Sequence, residues 1–292
     1  MLAFSPSHIQ VPLSEGHRFP MGKYALLAQA MRQEGWKVEK APPASLVDLA
    51  LVHEVSYLEA WRQGTLEAKA IRKLGLPYSP ELFERSLASV GGTLAAFKHA
   101  RREGYGVNLA GGTHHAFAGH GEGFCVFNDL AMVARRALQE GFETISIIDL
   151  DVHQGNGTAK ILAHEPRAFT LSLHGAKNYP FHKEQSDLDV ALPDAIHDSD
   201  YLKSLAEALE KLPPKPQLIL YQAGVDVLQG DKLGRMRLSF EGLAKRDQMV
   251  YNYAKGLGVP LVYTMGGGYQ ADIQVTVAAH IQSLKLLAQY HS

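Results

Sequence analysis

Short runs of apolar and β-branched residues alternate with helical patterns along this chain, and this alternation restricts the fold more than any other feature. Strand-like runs lie at 107–110, 144–148, 168–173, 218–221 and 261–264. Strands that alternate with helices are typical of βαβ units, in which helices cover both faces of a parallel sheet. The sequence therefore predicts an α/β fold with an open, mostly parallel sheet between helices.

Capping residues mark the ends of the predicted helices. Ser79, Pro80 and Glu81 combine an N-cap, a first-turn proline and a favourable charge. They open a helix that runs to Arg102 and stops at Gly104. Similar signals predict helices from 128–129 to about 141, from 158, from about 198 to 211, from 239 to about 256, and from about 272.

The length and composition fit one folded domain. A chain of 292 residues can bury a full core, and 46% hydrophobic with 20% charged residues is typical of a soluble globule. The proline-rich segment 213–216 is the only candidate linker, but a strand follows it at once, so we interpret it as a surface connection. We expect a single domain over residues 1–292.

Charge and composition exclude several classes of protein. The net charge is -1, from 29 basic and 30 acidic residues, and the longest basic clusters are doublets such as Arg101-Arg102. We therefore expect no binding to nucleic acid or to an anionic membrane surface. We see neither a run of about 18 apolar residues nor a signal-peptide pattern. The single cysteine, Cys125, excludes an internal disulfide, and we expect a cytoplasmic protein in which this thiol is a small buried hydrophobe.

Unusual polar residues follow four of the predicted strands. The four segments are Gly111-Gly112-Thr113-His114-His115, Asp149-Leu150-Asp151-Val152-His153, Gln222-Ala223-Gly224-Val225-Asp226 and Met265-Gly266-Gly267-Gly268-Tyr269. Each segment alone is commonplace as a turn, a satisfied core histidine or a packing tyrosine. Ligands of open α/β sheets bind beyond the carboxyl ends of the strands. Four such segments at equivalent positions therefore indicate a functional site at this edge.

A metal site is the best interpretation of the carboxylates among these residues. Asp151, His153 and Asp226 supply two hard oxygens and one imidazole, which leaves a fourth position for water, as in a catalytic zinc site. Burial of unpaired carboxylates is unfavourable unless a metal or another partner compensates their charge. The sequence therefore predicts zinc as a cofactor.

The remaining polar residues predict hydrolytic chemistry. His114 and His115 are candidates for proton transfer, because imidazole titrates near neutral pH. Tyr269 is a candidate donor to a developing oxyanion. Together with zinc, these groups predict a hydrolase that acts on an unactivated carbonyl.

In their order and spacing, these motifs resemble those of the histone deacetylase superfamily, which includes bacterial acetylpolyamine and acetoin-utilisation homologues. The resemblance extends from His17-Arg18-Phe19-Pro20 to Gly266-Gly267-Gly268-Tyr269, and it is most similar to the class IV-like bacterial and plant group. It implies the arginase–deacetylase fold, a single domain with a parallel sheet of about eight strands between helices.

The resemblance also implies a role for each site residue. The zinc ligands would be Asp151, His153 and Asp226. His115 would be the general base and then the acid, with His114 as its electrostatic partner and Tyr269 as the residue that polarises the carbonyl. Asp149 would lie beside His114, and Asn156 beside His115. The substrate channel would be lined by Gly123, Phe124, Tyr179 and Gly267. A structural potassium ion would be surrounded by Asp149, Ser172 and the carbonyls of Asp151, His153 and Leu173.

The chain departs from the family pattern at several positions. Asn156 stands where many members carry aspartate, and a neutral amide stabilises an imidazolium less, so His115 should stay neutral more readily. Gln154 replaces a second histidine, and Tyr179 replaces a wall aromatic without a hydroxyl, so that hydroxyl is free to bind a partner. The segment 76–79 has no clear equivalent of the rim aspartate that grips a peptide backbone.

A zinc-dependent deacylase for acyl-lysine in a protein or peptide is the function that the resemblance implies. A deacetylase for acetylpolyamines or other small acylated amines is the alternative, although the inserted loop that closes the channel of those relatives is not evident. An arginase-like dimanganese enzyme would need further ligands, which Val227 and Leu228 do not supply. A non-catalytic binding module would be expected to have lost part of the motif set, and none is lost here.

Overall fold

The computed structural model describes residues 1–291 and contains one eight-stranded sheet. All the strand pairs are parallel, which confirms the α/β fold and makes the sheet parallel throughout rather than mostly so. The strands β1 to β8 are Leu2–Ser5, Lys37–Lys40, Tyr105–Asn108, Ile145–Asp149, Ala168–Gly175, Leu188–Leu192, Leu218–Gly224 and Leu261–Gly266. Their order across the sheet is β2-β1-β3-β8-β7-β4-β5-β6.

Ten helices connect and cover the strands within the described residues. Helices α1 to α10 are Gly22–Gln33, Leu46–Leu49, Val55–Gln63, Ala68–Leu74, Pro80–Glu103, Asp129–Gln139, Asn156–Leu162, Asp198–Leu209, Phe240–Leu257 and Ile273–Tyr290. The side chains of Ser79, Asn128, Ser239 and Asp272 each accept a backbone hydrogen bond at a helix start, which confirms the predicted caps. Gly104, with φ of 82°, ends α5 as predicted.

Several boundaries differ from the sequence prediction by two or three residues. Strands β5, β7 and β8 continue to Gly175, Gly224 and Gly266. The strand expected at 107–110 is β3, at 105–108, because Gly111 and Gly112 take positive φ angles of 77° and 65° and turn the chain out of the sheet early. Helix α7 begins at Asn156 rather than at Thr158. The sequence prediction contained no element before Ser79, so it missed β1, β2 and α1 to α4, and it also missed the edge strand β6.

The core lies on both faces of the sheet. All residues of β4, β7 and β8 are buried, so these strands read as continuous apolar runs rather than as alternating patterns. One cluster includes Leu171, Ile219 and Tyr263, and a second includes Ile147 and Leu220. No helix in the described part of the chain is long and apolar enough to cross a membrane.

Parallel pairing places the functional segments at one edge of the sheet. Strands β3, β8, β7, β4 and β5 are neighbours, and all run in the same direction. The segments that follow them therefore leave the sheet side by side, as the strand-end argument predicts. The residues of all four polar segments therefore lie at the carboxyl-terminal edge of the sheet.

Candidate active site

Three buried side chains form a group that is able to hold a metal ion. Asp151, His153 and Asp226 each offer one ligand atom, and these atoms lie within 4.8 Å of one another. His153 Nδ1 lies 2.9 Å from Asp151 Oδ1 and 3.2 Å from Asp226 Oδ2. The chain turn after β4 supplies the first two residues, and the turn after β7 supplies the third.

The surroundings of Asp226 fit a bound cation. Its Oδ1 accepts the Val152 backbone N–H at 2.9 Å, whereas its Oδ2 is buried without a well-directed hydrogen bond and has the His153 ring 3.2 Å away. Burial and the nearby Asp151 charge raise the pKa of Asp226. A carboxylate oxygen that is shielded from water and lacks a well-directed hydrogen bond is costly, and coordination would satisfy it. The donor set of two carboxylates and one imidazole suits zinc.

The tandem histidines have different partners. His114 Nδ1 lies 2.6 Å from Asp149 Oδ2, and His115 Nδ1 lies 2.7 Å from Asn156 Oδ1. Burial lowers the pKa of His114, but the adjacent Asp149 carboxylate outweighs burial and raises it. Burial, reinforced by the neighbouring His114, holds the pKa of His115 well below its usual range. His115 is therefore neutral and able to accept a proton, as its partner Asn156 predicts.

Tyr269 follows β8 on a turn that two residues hold in place. Asp231 Oδ2 accepts the Tyr269 backbone N–H at 2.6 Å, and the Lys23 ammonium donates to the Gly267 carbonyl. Lys23 also lies 5.3 Å from the centre of the Tyr269 ring. Burial raises the pKa of Tyr269 well above its usual value, so the hydroxyl remains a donor. A side chain at Gly267 would meet Asp226, which explains the glycine.

Aromatic side chains wall the entrance to these residues. The Tyr179 ring lies 5.0 Å from His115 and 6.4 Å from His153, centre to centre. The Phe124 ring lies 6.1 Å from that of Tyr269. Gly123, with φ of 55°, approaches so closely that an added Cβ would lie 2.6 Å from His115 Cδ2. The structure therefore brings together the residues predicted to line the channel.

A cavity of about 470 Å³ opens over the site. The predicted site residues among its lining are His114, His115, Gly123, Phe124, Asp151, His153, Tyr179, Gly267 and Tyr269. Asp226 and Asn156 lie behind this wall, each no more than 2% exposed. Arg18, Arg72 and Lys73 also line the cavity, and Asp151 is the only acid among its lining residues. Cys125 is buried and its pKa is raised by burial, which fits the interpretation as a small hydrophobe.

The residues of the predicted potassium site are close in the sheet. Asp149 of β4 and Ser172 of β5 are partners in the strand register, and both are buried. Leu173 is the next residue of β5. Asp149 uses its oxygens for the Asp151 backbone N–H and the His114 ring, and the Ser172 hydroxyl lies 3.0 Å from His174 Nδ1. The potassium ion stays a prediction.

The structure adds site residues that sequence reasoning missed. Lys23 and Asp231 hold the Tyr269 turn, and Glu122 contacts Asn156 and Tyr179. Lys23 and Asp231 lie only a few residues after the segments 17–20 and 222–226, but neither stands in a pattern that links it to the Tyr269 turn. One sequence signal could have indicated Glu122, because it is a charged residue that directly precedes the Gly123-Phe124 segment.

Comparison with known proteins identifies the family. A family model described as the histone deacetylase domain matches residues 17–284. The chain belongs to the histone deacetylase family. This membership confirms the resemblance seen in the motifs and assigns the chain to a family of deacetylases.

Histone deacetylases and their homologues from distant organisms are similar to this chain. An uncharacterized protein of Picosynechococcus sp. (strain ATCC 27264 / PCC 7002 / PR-6) is 43% identical over 286 residues, which is 96% of this chain and 95% of that protein. Histone deacetylase 2 of Arabidopsis thaliana is 32% identical and covers 92% of this chain and 73% of its own. The crystal structure of a histone deacetylase homologue from Aquifex aeolicus has a TM-score of 0.82 at 26% identity, over 98% of this chain and 83% of that chain.

Proposed function

We propose that this histone deacetylase-family protein is a zinc-dependent deacylase that hydrolyses the amide of an acyl-lysine side chain. The observation that carries the proposal is the buried Asp151, His153 and Asp226 group beside a neutral His115 in one cavity. A metal-capable group and a proton acceptor that face the same space are what the hydrolysis of an unactivated amide needs.

His115 is the proton carrier in the proposed mechanism. Its Nδ1 is engaged by Asn156, so Nε2 is free to accept a proton from the attacking water. The same ring then gives that proton to the nitrogen of the leaving amine, which departs as the carbon–nitrogen bond breaks. The low pKa of His115, caused first by its burial, keeps the ring neutral and so available as a base at neutral pH, and it makes the imidazolium that forms a ready proton donor to the leaving amine.

His114 and Tyr269 stabilise the charge that develops on the carbonyl oxygen and the water. The His114 ring lies 4.1 Å from that of His115, and Asp149 favours its charged form. Tyr269 lines the cavity, and its hydroxyl, which stays protonated, would donate a hydrogen bond to the oxyanion. Zinc held by Asp151, His153 and Asp226 would polarise the carbonyl and activate the water.

The charge of the cavity lining supports an acyl-lysine carrier over a polyamine. Arg18, Lys23 and Arg72 are cations of the lining, whereas the Lys73 charge is balanced by Glu122. Asp151, the only lining acid, belongs to the metal-capable group. A polyamine carries several ammonium groups after its acyl end, and it would meet repulsion here without a carboxylate partner. A deacetylase for acetylpolyamines or other small acylated amines therefore stands as the second candidate.

Turnover of a fluorogenic acetyl-lysine peptide by the zinc-loaded protein tests the proposal. We expect His115→Ala and Tyr269→Phe each to lower kcat/KM by about 100-fold or more, because they remove the proton carrier and the oxyanion donor. His164, an exposed residue on the surface, provides the control variant His164→Gln, which should retain full activity. Unchanged turnover in both site variants would contradict the mechanism.

A panel of substrates separates the two candidates. Peptides with acetyl to long-chain acyl groups on lysine are compared with acetylated polyamines and small amides. The proposal predicts higher kcat/KM for acyl-lysine peptides, and the reverse order would support the second candidate. The cytoplasmic location inferred from composition and the potassium ion at Asp149, Ser172 and Leu173 are further parts of the proposal.

A further inference from the structure

We infer that Glu122 is a positioning residue for the base His115 and that it acts through the side chain of Asn156. Since this role lies within the proposed deacylase site, it rests on that proposed function. Glu122 directly precedes the Gly123-Phe124 turn and belongs to none of the motifs that carry the family resemblance.

The Glu122 carboxylate is buried at the centre of a hydrogen-bond network. The residue is 4% exposed, and its Oε1 accepts from Asn156 Nδ2 at 2.8 Å and from the Tyr179 hydroxyl at 2.7 Å. Its Oε2 lies 2.5 Å from Lys73 Nζ and 3.4 Å from His120 Nε2. Burial raises the pKa of Glu122, but the four hydrogen bonds outweigh burial and hold it well below its usual range. An ionised carboxylate therefore faces Asn156.

This carboxylate decides which end of the Asn156 amide faces His115. A side-chain amide has one acceptor end and one donor end, and half a turn about its last bond exchanges them. His115 alone does not select between them, because an imidazole nitrogen donates or accepts according to its tautomer. Glu122 does select, because an ionised carboxylate only accepts. Asn156 must turn its Nδ2 toward Glu122, and its Oδ1 is left for His115.

The orientation of Asn156 in turn sets the tautomer of His115. Because Asn156 Oδ1 only accepts, His115 must carry its proton on Nδ1, at 2.7 Å from that oxygen. The Nε2 atom then keeps the lone pair that a general base needs. Glu122 thus makes one tautomer dominant without contacting the base itself.

The same carboxylate joins the base to the channel wall. The Tyr179 ring, whose hydroxyl donates to Glu122, stands edge-on to His115 with ring centres 5.0 Å apart. Lys73 balances the carboxylate charge on the solvent side, and the amide separates that charge from the base. The network therefore orients His115 and leaves it neutral, as its lowered pKa requires.

The experiment compares Glu122→Ala and Glu122→Gln in the zinc-loaded full chain. Glu165→Ala is the matched control, because Glu165 is another buried acid, 8% exposed, that pairs with Arg135 and Arg167 away from the cavity. Steady-state kinetics give kcat and KM for the acetyl-lysine peptide. Nitrogen-15 NMR of labelled histidine rings reports the tautomer of His115, whose resonances are identified by their loss in His115→Ala.

The expected results separate positioning from simple stability. Glu122→Ala should lower kcat by about 10- to 100-fold while KM stays within about threefold, and His115 should become a mixture of tautomers. Glu122→Gln keeps the shape of the side chain but offers Asn156 a donor end as well as an acceptor end, so it should also leave His115 as a mixture of tautomers, with a loss of kcat no greater than that of Glu122→Ala. Glu165→Ala should lower only the thermal midpoint of unfolding.

Three outcomes would overturn the role of Glu122. They are a single Nδ1-protonated tautomer in Glu122→Ala, a kcat in that variant equal to that of the unaltered protein, and a loss of kcat that Glu165→Ala reproduces. A protein that turns over no acylated amine would refute the proposed function instead. The tautomer measurement does not need turnover, so it distinguishes these two failures.

Discussion

At the scale of single residues, the partner of each histidine decides its charge. His114 and His115 are adjacent in sequence, yet Asp149 raises the pKa of the first, whereas burial lowers that of the second and its amide partner does not offset this. A carboxylate stabilises an imidazolium, and an amide does so much less. Two histidines of one tandem motif thereby take different roles.

His53 shows the same control of charge outside the site. Its Nε2 accepts the Asn128 backbone N–H at 2.9 Å, and its Nδ1 lies 3.0 Å from the Phe117 carbonyl oxygen. Burial lowers the pKa of His53 to about 4. The ring is therefore neutral in the folded protein at pH values where it is protonated in the unfolded chain. This imidazole links the loop after the tandem histidines to the start of α6.

We predict that His53 makes the fold sensitive to acid. Between about pH 6.5 and pH 4 the unfolded state binds a proton at His53 and the folded state does not, so stability falls as pH decreases. From pH 7 to pH 4.5 this residue should account for a loss of about 2–3 kcal/mol in the free energy of unfolding. Urea unfolding of the protein and of His53→Gln at several pH values measures it.

The comparison with the variant isolates the His53 contribution. His53→Gln should be less stable at neutral pH, because it loses a buried hydrogen bond, but its stability should fall less on acidification. The exposed His164 gives the control His164→Gln, which should retain the full pH dependence. Parallel pH profiles for the protein and His53→Gln would refute the prediction.

At the scale of elements, helix α9 secures the strand ends that carry the metal group. Arg246 of α9 is fully buried, and its Nη1 donates to the carbonyls of Leu150 and Gly224, at the ends of β4 and β7. Its charge is balanced by the neighbouring Asp247, at 2.7 Å. The residues after these carbonyls include Asp151 and Asp226. One helix thus ties together the two turns that bear the proposed zinc ligands.

We predict that Asp247→Ala strongly destabilises the protein. Asp247 also accepts from the hydroxyls of Tyr221 and Ser283, so its loss leaves a buried guanidinium and two hydroxyls without their acceptor. Removal of one partner of a buried ion pair typically costs about 3–5 kcal/mol. Equilibrium urea unfolding at neutral pH measures the change.

An exposed ion pair on the same helix provides the control. Glu241 and Lys245 lie 2.7 Å apart, and both side chains are more than half exposed. Glu241→Ala should change the free energy of unfolding by less than about 0.5 kcal/mol, because water screens such pairs. A similar effect for Glu241→Ala and Asp247→Ala would show that the buried network contributes little.

At the scale of the whole molecule, the parallel sheet assembles the site from distant segments. Asp151 and His153 follow β4, whereas Asp226 follows β7, and these strands are hydrogen-bonded neighbours. Folding therefore brings two carboxylates together in a buried space, and their repulsion lowers the stability of the folded state. A metal ion that binds them would offset this repulsion and would link two strand ends.

We predict that zinc removal lowers the thermal stability of the protein. A ligand that binds only the folded state stabilises it by about 4 kcal/mol at a thousandfold excess over its Kd. Chelation should therefore lower the unfolding midpoint, and added zinc should restore it. Differential scanning calorimetry with a metal assay of each sample makes the measurement.

Variants show whether this effect comes from the predicted ligands. Asp151→Asn should lose most of the difference between zinc-loaded and chelated protein, since a neutral amide binds zinc weakly. Glu241→Ala, far from the site on the exposed face of α9, should keep the whole difference. Equal midpoints with and without zinc in the unaltered protein would argue against a metal at this group.

Much of the architecture and most of the candidate site were predictable from local sequence signals. Long helices with caps, such as α5 after Ser79, were located closely because capping and periodicity act within a few residues. The elements before Ser79 and the edge strand β6 were not, because short strands such as the four-residue β1 and β2 depend on contacts with the rest of the sheet. The turn at Gly111 moved the end of β3 for a backbone reason that apolar patterning does not show.

The sequence was enough to predict the chemistry of the candidate site. It predicted the ligand set Asp151, His153 and Asp226 and the tandem histidines, because residue type and strand-end position decide what a group is able to bind. How these groups are held depends on the tertiary structure. The contact between Glu122 and Asn156, or between Lys23 and the Gly267 carbonyl, joins residues far apart in the chain. Such contacts arise when parallel strands bring their ends together, and no local pattern records them.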